Sequence, residues 1–94
     1  MKTLDEVKKY IEDEGYESVV ILENPDYASA FIGISNDDRA VYDHVLMIKS
    51  LMENRGMTKE EAIDYISYNT LRAIEMIENG PIVVFPHQTH EAFE

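Results

Sequence analysis

The sequence predicts an α+β fold of order α-β-β-β-α-α-β, a small antiparallel or mixed β-sheet with helices packed mainly on one face. Three observations predict it. Two capping boxes, Thr3-Leu4-Asp5-Glu6 and Thr58-Lys59-Glu60-Glu61, each open a stretch of helical apolar period. Four short runs of strand character, 18–23, 27–35, 40–42 and 82–85, are bounded by Asn, Asp, Gly and Pro. The connections are short, which favours a meander of strands with the helices layered on one side.

The first helix starts after Thr3, with Leu4, Val7 and Ile11 recurring at i, i+3 and i+7 and Tyr10 beside the stripe. Gly15 suits the C′ position that ends it. Glu12, Asp13, Glu14 and Glu17 form an anionic outer face, read as solvated. The run 18–23 is continuously apolar, so a strand there is central or covered on both faces. Asn24-Pro25-Asp26 is a turn, since proline presets φ and either polar side chain can bond the local backbone.

In 27–35, Ala28, Ala30, Ile32 and Ile34 fall on one face of a strand and Tyr27, Ser29, Phe31, Gly33 and Ser35 on the other. The two alanines mark close approach of a helix. Phe31 then stands on the second face, as a half-exposed aromatic or the centre of a contact surface. A loop at 35–39 leads to the short strand 40–42, and Asp43 caps a helix over 44–55. Val45, Leu46, Met47, Ile48, Leu51 and Met52 cover more than one face, which makes this the most buried helix; Gly56 stops it.

The last helix runs from the second capping box to Asn79-Gly80-Pro81. Its core stripe reads Ala62, Ile63, Ile66, Thr70, Ala73, Ile74 and Ile77. Glu60, Asp64, Tyr68, Glu75 and Glu78 occupy the other side. The final strand, 82–85, is expected to pair with the first. Residues 1–86 form a single α+β domain, and 87–94 read as a C-terminal tail.

Composition narrows the function classes. The 94 residues suit one domain, and 45% apolar with 29% charged residues is an ordinary globular balance, so wholesale disorder is not expected. Cysteine is absent, which removes disulfides, thiol nucleophiles and thiolate zinc sites. No apolar run approaches the ~18 residues of a membrane span and no basic-apolar leader opens the chain, so a cytoplasmic protein is expected. Nineteen carboxylates against eight Lys and Arg leave a net charge of -11. That sign opposes direct binding to nucleic-acid phosphates or an anionic membrane, and it leaves two readings: a charge that only keeps a small domain soluble and monomeric, or one that steers it toward a basic protein surface.

Five segments carry a resemblance: ENPDY at 23–27, FIGIS at 31–35, DDRAVYD at 37–43, GMTKEEA at 56–62 and YNTLRA at 68–73. Together they resemble a family of short acidic proteins of Gram-positive bacteria and their phages, over about residues 16–85. The resemblance implies a setting, mobile elements and their hosts, and brings no catalytic residues.

Chemistry-bearing groups are sparse. His87 and His90, with Glu91, have the spacing of imidazole ligands, but a closed structural zinc site needs further donors and no cysteine supplies them, so no metal is assigned. His44 and Asp43 are sequence neighbours, which do not face each other on a helix, so no acid–base dyad follows. Asp37-Asp38 and Glu60-Glu61 lack calcium-loop spacing, and the four glycines are isolated, so there is no phosphate-cradling loop. The reading is non-enzymatic and cofactor-free. Thr70 within the stripe is expected to bond the Ile66 carbonyl. Asn69 is expected to be buried and hydrogen-bonded structurally.

The remaining candidate is the outer face of the last helix. At ~1.5 Å per residue, Glu60 to Glu78 would span about 27 Å. Such a row of carboxylates could stand in for phosphates at a basic groove, with Tyr68 as an amphipathic anchor. The expected function is an acidic protein-binding domain, in its sharpest form a phage counter-defence inhibitor of the anti-CRISPR kind acting on a nucleic-acid-binding protein. The candidate partner-binding residues are Glu60, Asp64, Tyr68, Glu75, Glu78 and Phe31. The alternatives are a self-associating module, a homodimer through the Phe31 face and the Val83–Phe85 strand, and a small-ligand binder around Asn69.

Overall fold

A computed structural model describes residues 2–87 and gives an α+β fold of order α-β-β-α-α-β, with a three-stranded mixed sheet. Helix α1, Leu4–Asp13, begins at the expected capping box: Glu6 N–H donates to Thr3 Oγ1 and Thr3 N–H to Glu6 Oε1, both at 3.2 Å. It ends in a Schellman turn. Gly15 N–H bonds the Glu12 carbonyl, Tyr16 N–H bonds the Ile11 carbonyl, and Gly15 sits at φ 82°.

The run 18–23 forms no strand. The central strand of the sheet is paired on both sides by other segments, and 18–23 joins neither of the outer strands. The segment instead packs Val19, Ile21 and Leu22 against the core, and its Leu22 N–H is taken by the Tyr42 hydroxyl at 3.0 Å.

The alternation expected from Tyr27 also breaks. Tyr27 adopts the left-handed region at φ 47°, Asp26 Oδ1 accepts from Ala28 N–H at 2.9 Å, and Ala30 N–H bonds the Tyr27 carbonyl at 2.8 Å. These local bonds start a single 3-10 turn over Ala28–Ala30, and its two alanines are buried against α2, as their small size suggested. Strand β1 is therefore only Phe31–Ile34, with a register break between Phe31 and Gly33.

Strand β2, Ala40–Asp43, pairs antiparallel with β1 and runs directly into α2, His44–Arg55. Asp43 Oδ1 caps that helix by accepting from Leu46 N–H at 3.0 Å, and Gly56 ends it at φ 66°. Val45, Met47, Ile48 and Leu51 of α2 are buried, and Met47 and Leu51 lie at the centre of the core with Val7, Tyr27, Phe31, Tyr42 and Ile66.

Helix α3 is assembled from Lys59–Tyr65, a π-turn over Ile66–Thr70, and Leu71–Glu75. Its capping box matches the expectation, with Thr58 Oγ1 accepting from Glu61 N–H at 3.1 Å and Glu61 Oε1 from Thr58 N–H at 2.9 Å. In a regular helix, residues four apart drift by ~40° per step around the axis. The π-turn, in which Leu71 N–H reaches the Ile66 carbonyl, offsets that drift and keeps Ala62, Ile66 and Thr70 buried, with Leu71 packed against the core and Ile74 half-buried. Ile63, Ala73 and Ile77, expected in the stripe, are exposed.

The helix stops at Glu75, short of Asn79-Gly80-Pro81, because its final carbonyls are taken by tight i→i+3 bonds from Met76 and Ile77. Gly80 is required for space: a Cβ there would lie 3.0 Å from the Ile74 carbonyl oxygen and 3.1 Å from that of Ile77. Its own carbonyl accepts from Arg39 Nε at 2.7 Å, which pins the turn to the β1–β2 loop. Strand β3, Ile82–Val84, then pairs parallel with β2, Val41 opposite Ile82, and not with 18–23. No helix among the described residues is long and apolar enough to cross a membrane.

Candidate functional site

The outer side of α3 gathers most of the candidate residues. Glu60 and Asp64 lie in its first segment, Tyr68 in the π-turn and Glu75 at its end, and all four are exposed. Glu78 is exposed too, but it sits in the turn after the helix, so the rigid row is shorter than the sequence suggests. Tyr68 is 61% exposed, and the Arg72 guanidinium carbon lies 5.4 Å from its ring centroid. One carboxylate-flanked aromatic therefore already holds a cation from its own chain.

Beside this ring runs an open groove of about 370 Å3, lined by Met57, Glu61, Asp64, Tyr65, Tyr68 and Asn69. Tyr65 and Met57 were not singled out from sequence as site residues. The signal was present in the i, i+4 pairs Glu61/Tyr65 and Asp64/Tyr68, which set two rings above two carboxylates on one helix face. Asn69 lies in the groove wall and is exposed, contrary to the expected burial. The extra residue of the π-turn swings it outward while Thr70 keeps the inward position.

Thr70 is buried, but it does not bond back to Ile66, whose carbonyl accepts from Leu71 N–H. Its hydroxyl instead meets the hydroxyl of Tyr27 at 2.6 Å. Tyr27 is almost fully enclosed, and burial pushes its phenol up to about 12, against the opposing pull of the Thr70 hydrogen bond. The pair is internal and joins the 24–30 loop to α3. A second cleft of about 150 Å3 lies over it, walled by Leu22, Asn24, Tyr65 and Asn69 among others. It is open to solvent and not the enclosed cavity a small-ligand binder around Asn69 would need.

Phe31 does not belong to an exposed site. It is 4% exposed, edge-on to Tyr10 and Tyr42 at 5.9 and 5.8 Å, with the Lys2 ammonium 5.7 Å from its ring centroid. The 3-10 turn before it reverses the strand parity, so Ile32, at 51% exposed, takes the outward position expected of Phe31. The other half of the self-association surface differs. Phe85 is 62% exposed, yet its ring stacks on His44 at 4.2 Å and 29°. Burial lowers the His44 pKa, with Asp43 acting in the opposite direction.

Among the described residues no group of three His, Asp or Glu side chains could hold a metal ion. Of His87, His90 and Glu91, to which no metal was assigned, only His87 lies within the described residues. No family model matches the chain, and neither does any curated protein or solved structure.

Proposed function

We propose that this chain is a non-enzymatic protein-binding domain whose α3 face engages a basic surface of its partner. The observation that supports it best is Tyr68: an exposed ring among Glu60, Asp64 and Glu75, with an arginine of the same chain already over it. An exposed aromatic face with a carboxylate one turn away, here Asp64, and more along the same helix is what a guanidinium or ammonium group seeks, since ring quadrupole and ion pairing act together. The net charge of -11 adds long-range steering toward such a partner.

The groove along Met57, Tyr65 and Asn69 gives that partner an apolar floor beside the charges, which is how interface anchors combine area with orientation. In its sharpest form the reading is a counter-defence inhibitor of the anti-CRISPR kind, in a phage or mobile-element setting, that occupies the nucleic-acid-binding surface of its target. The carboxylates then take the positions of phosphates.

The test is binding measured across a salt series. Affinity for the partner captured from a host lysate should fall steeply between low and physiological salt. It should be lost in Glu60→Lys/Asp64→Lys and reduced more than tenfold, about 1.4 kcal/mol or more, in Tyr68→Ala. Binding indifferent to salt and to both variants would sink the reading.

A further inference from the structure

The run 18–23 has the chain's most strand-like composition and no place in the sheet. Val19, Val20 and Ile21 are β-branched residues that favour open, extended dihedrals. Among the described residues, no hydrogen bond is made by the backbone of Val19, Val20 or Ile21. The flanking bonds are Tyr16 N–H to the Ile11 carbonyl at 3.1 Å and Leu22 N–H to the Tyr42 hydroxyl at 3.0 Å. All three are half-buried, and Val19 and Ile21 pack against the core, while among the described residues their backbone donors and acceptors have no protein partner. Alongside lies an open cleft of about 400 Å3, lined by Ile11, Tyr16, Val19 and Ile21 with Glu12 and Glu17 at its rim. Lys8 also borders it, tied to Glu23 at 3.1 Å.

We propose that 19–21 is a docking edge for a strand of a partner protein in which aliphatic residues alternate with basic ones. An added strand would satisfy the open amides and carbonyls, as in β-augmentation. Every second side chain of that strand would enter the apolar cleft. The intervening basic side chains would meet Glu12, Glu17 and Glu23, which frame the run. A second copy of this chain fits poorly. Antiparallel pairing centred on Val20 sets Glu17 of each copy opposite Glu23 of the other, and in-register parallel pairing sets each glutamate against itself. Like charges directly opposite are destabilising. The surface is distinct from the α3 face and depends on backbone pairing, so it goes beyond the reading above.

The test uses the full chain and a short capped peptide alternating lysine and valine, followed by amide hydrogen exchange and by fluorescence anisotropy. Exchange at Val19, Val20 and Ile21 should slow by about tenfold or more at saturating peptide. The same peptide N-methylated at alternate residues should bind at least about tenfold more weakly, because it cannot donate along that edge. A glutamate-for-lysine peptide should not bind, and Glu17→Lys should weaken binding of the original. Glu60→Lys/Asp64→Lys should leave protection at 19–21 intact, which separates this surface from α3. Equal binding of the N-methylated peptide, binding without protection at 19–21, or no binding at millimolar peptide would overturn the proposal. So would a concentration-dependent dimer that protects 19–21 without peptide.

Discussion

Residues 16–30 and 58–75 are joined by a buried hydrogen bond between the Tyr27 and Thr70 hydroxyls at 2.6 Å, and they treat their sequence patterns in opposite ways. The first has the composition of a strand and forms none: Val19, Ile21 and Leu22 pack on the core, and the Leu22 N–H goes to the Tyr42 hydroxyl in place of a ladder. The second has a helical pattern that would drift off the core and forms the helix anyway, inserting one extra residue at Ile66–Thr70 to hold its face. A helix can absorb a misfit inside its own hydrogen-bond ladder. A strand cannot, since its ladder belongs half to a neighbour. The surfaces left over differ accordingly: side-chain charge and aromatic area on α3, bare backbone on 19–21.

The largest expected effect tests the parity reversal between these regions. Phe31→Ala should destabilise the fold by about 3–5 kcal/mol, as for a core aromatic, while Ile32→Ala should stay within about 1 kcal/mol. Urea midpoints decide it, and a reversed order would restore the alternation expected from sequence.

Next comes the contact that joins the regions. Tyr27→Phe should cost about 1–3 kcal/mol by leaving the buried Thr70 hydroxyl unpaired, and Tyr27→Phe/Thr70→Val should cost less than the sum of the two single changes. The same phenol gives a pH signature. Its folded pKa, about 12, lies above the unfolded value of 10.0, so its stabilisation is complete below pH 10 and is lost as pH rises toward 12. Burial raises the Tyr42 pKa as well, so Tyr27→Phe should remove part of that alkaline loss and not all of it.

A smaller effect is expected at His44. Its folded pKa lies below 6.5, so the unfolded chain takes up the proton first and stability falls as pH drops through 6.5 toward the folded value. His44→Phe keeps a ring to stack on Phe85 and should flatten that decline in denaturation curves between about pH 7 and pH 5. The smallest change in stability should come from Asn69→Ala, within about 0.5 kcal/mol, because the side chain is exposed in the groove wall. A loss above 1 kcal/mol would return Asn69 to the structural role its neighbourhood in sequence implied.

What was legible in the sequence was local. Thr3 with Glu6, Thr58 with Glu61, Asp43, Gly15 and Gly56 each act within a few residues of themselves, and each sits where its chemistry demands. The exposed residues of the α3 face were legible for the same reason, since a helix sorts its faces by spacing alone. The rest was not local. The failure of 18–23 as a strand, the parity of Phe31 and the pairing of β3 with β2 depend on segments far away in sequence. The π-turn lay between these cases: the four-residue spacing of Ala62, Ile66 and Thr70 is visible in the sequence, but only their burial in the core gives a reason to keep it.

The parallel pairing of β3 with β2 also has a consequence in time. Val41, Tyr42 and Asp43 must wait about forty residues for Ile82, Val83 and Val84, whereas the β1–β2 hairpin closes within a dozen. Closing so long a loop is slow compared with forming a hairpin or a helical turn. The β1–β2 hairpin and the helix after it can therefore form while the second side of β2 is still open, and the sheet is complete only once Ile82–Val84 has docked there.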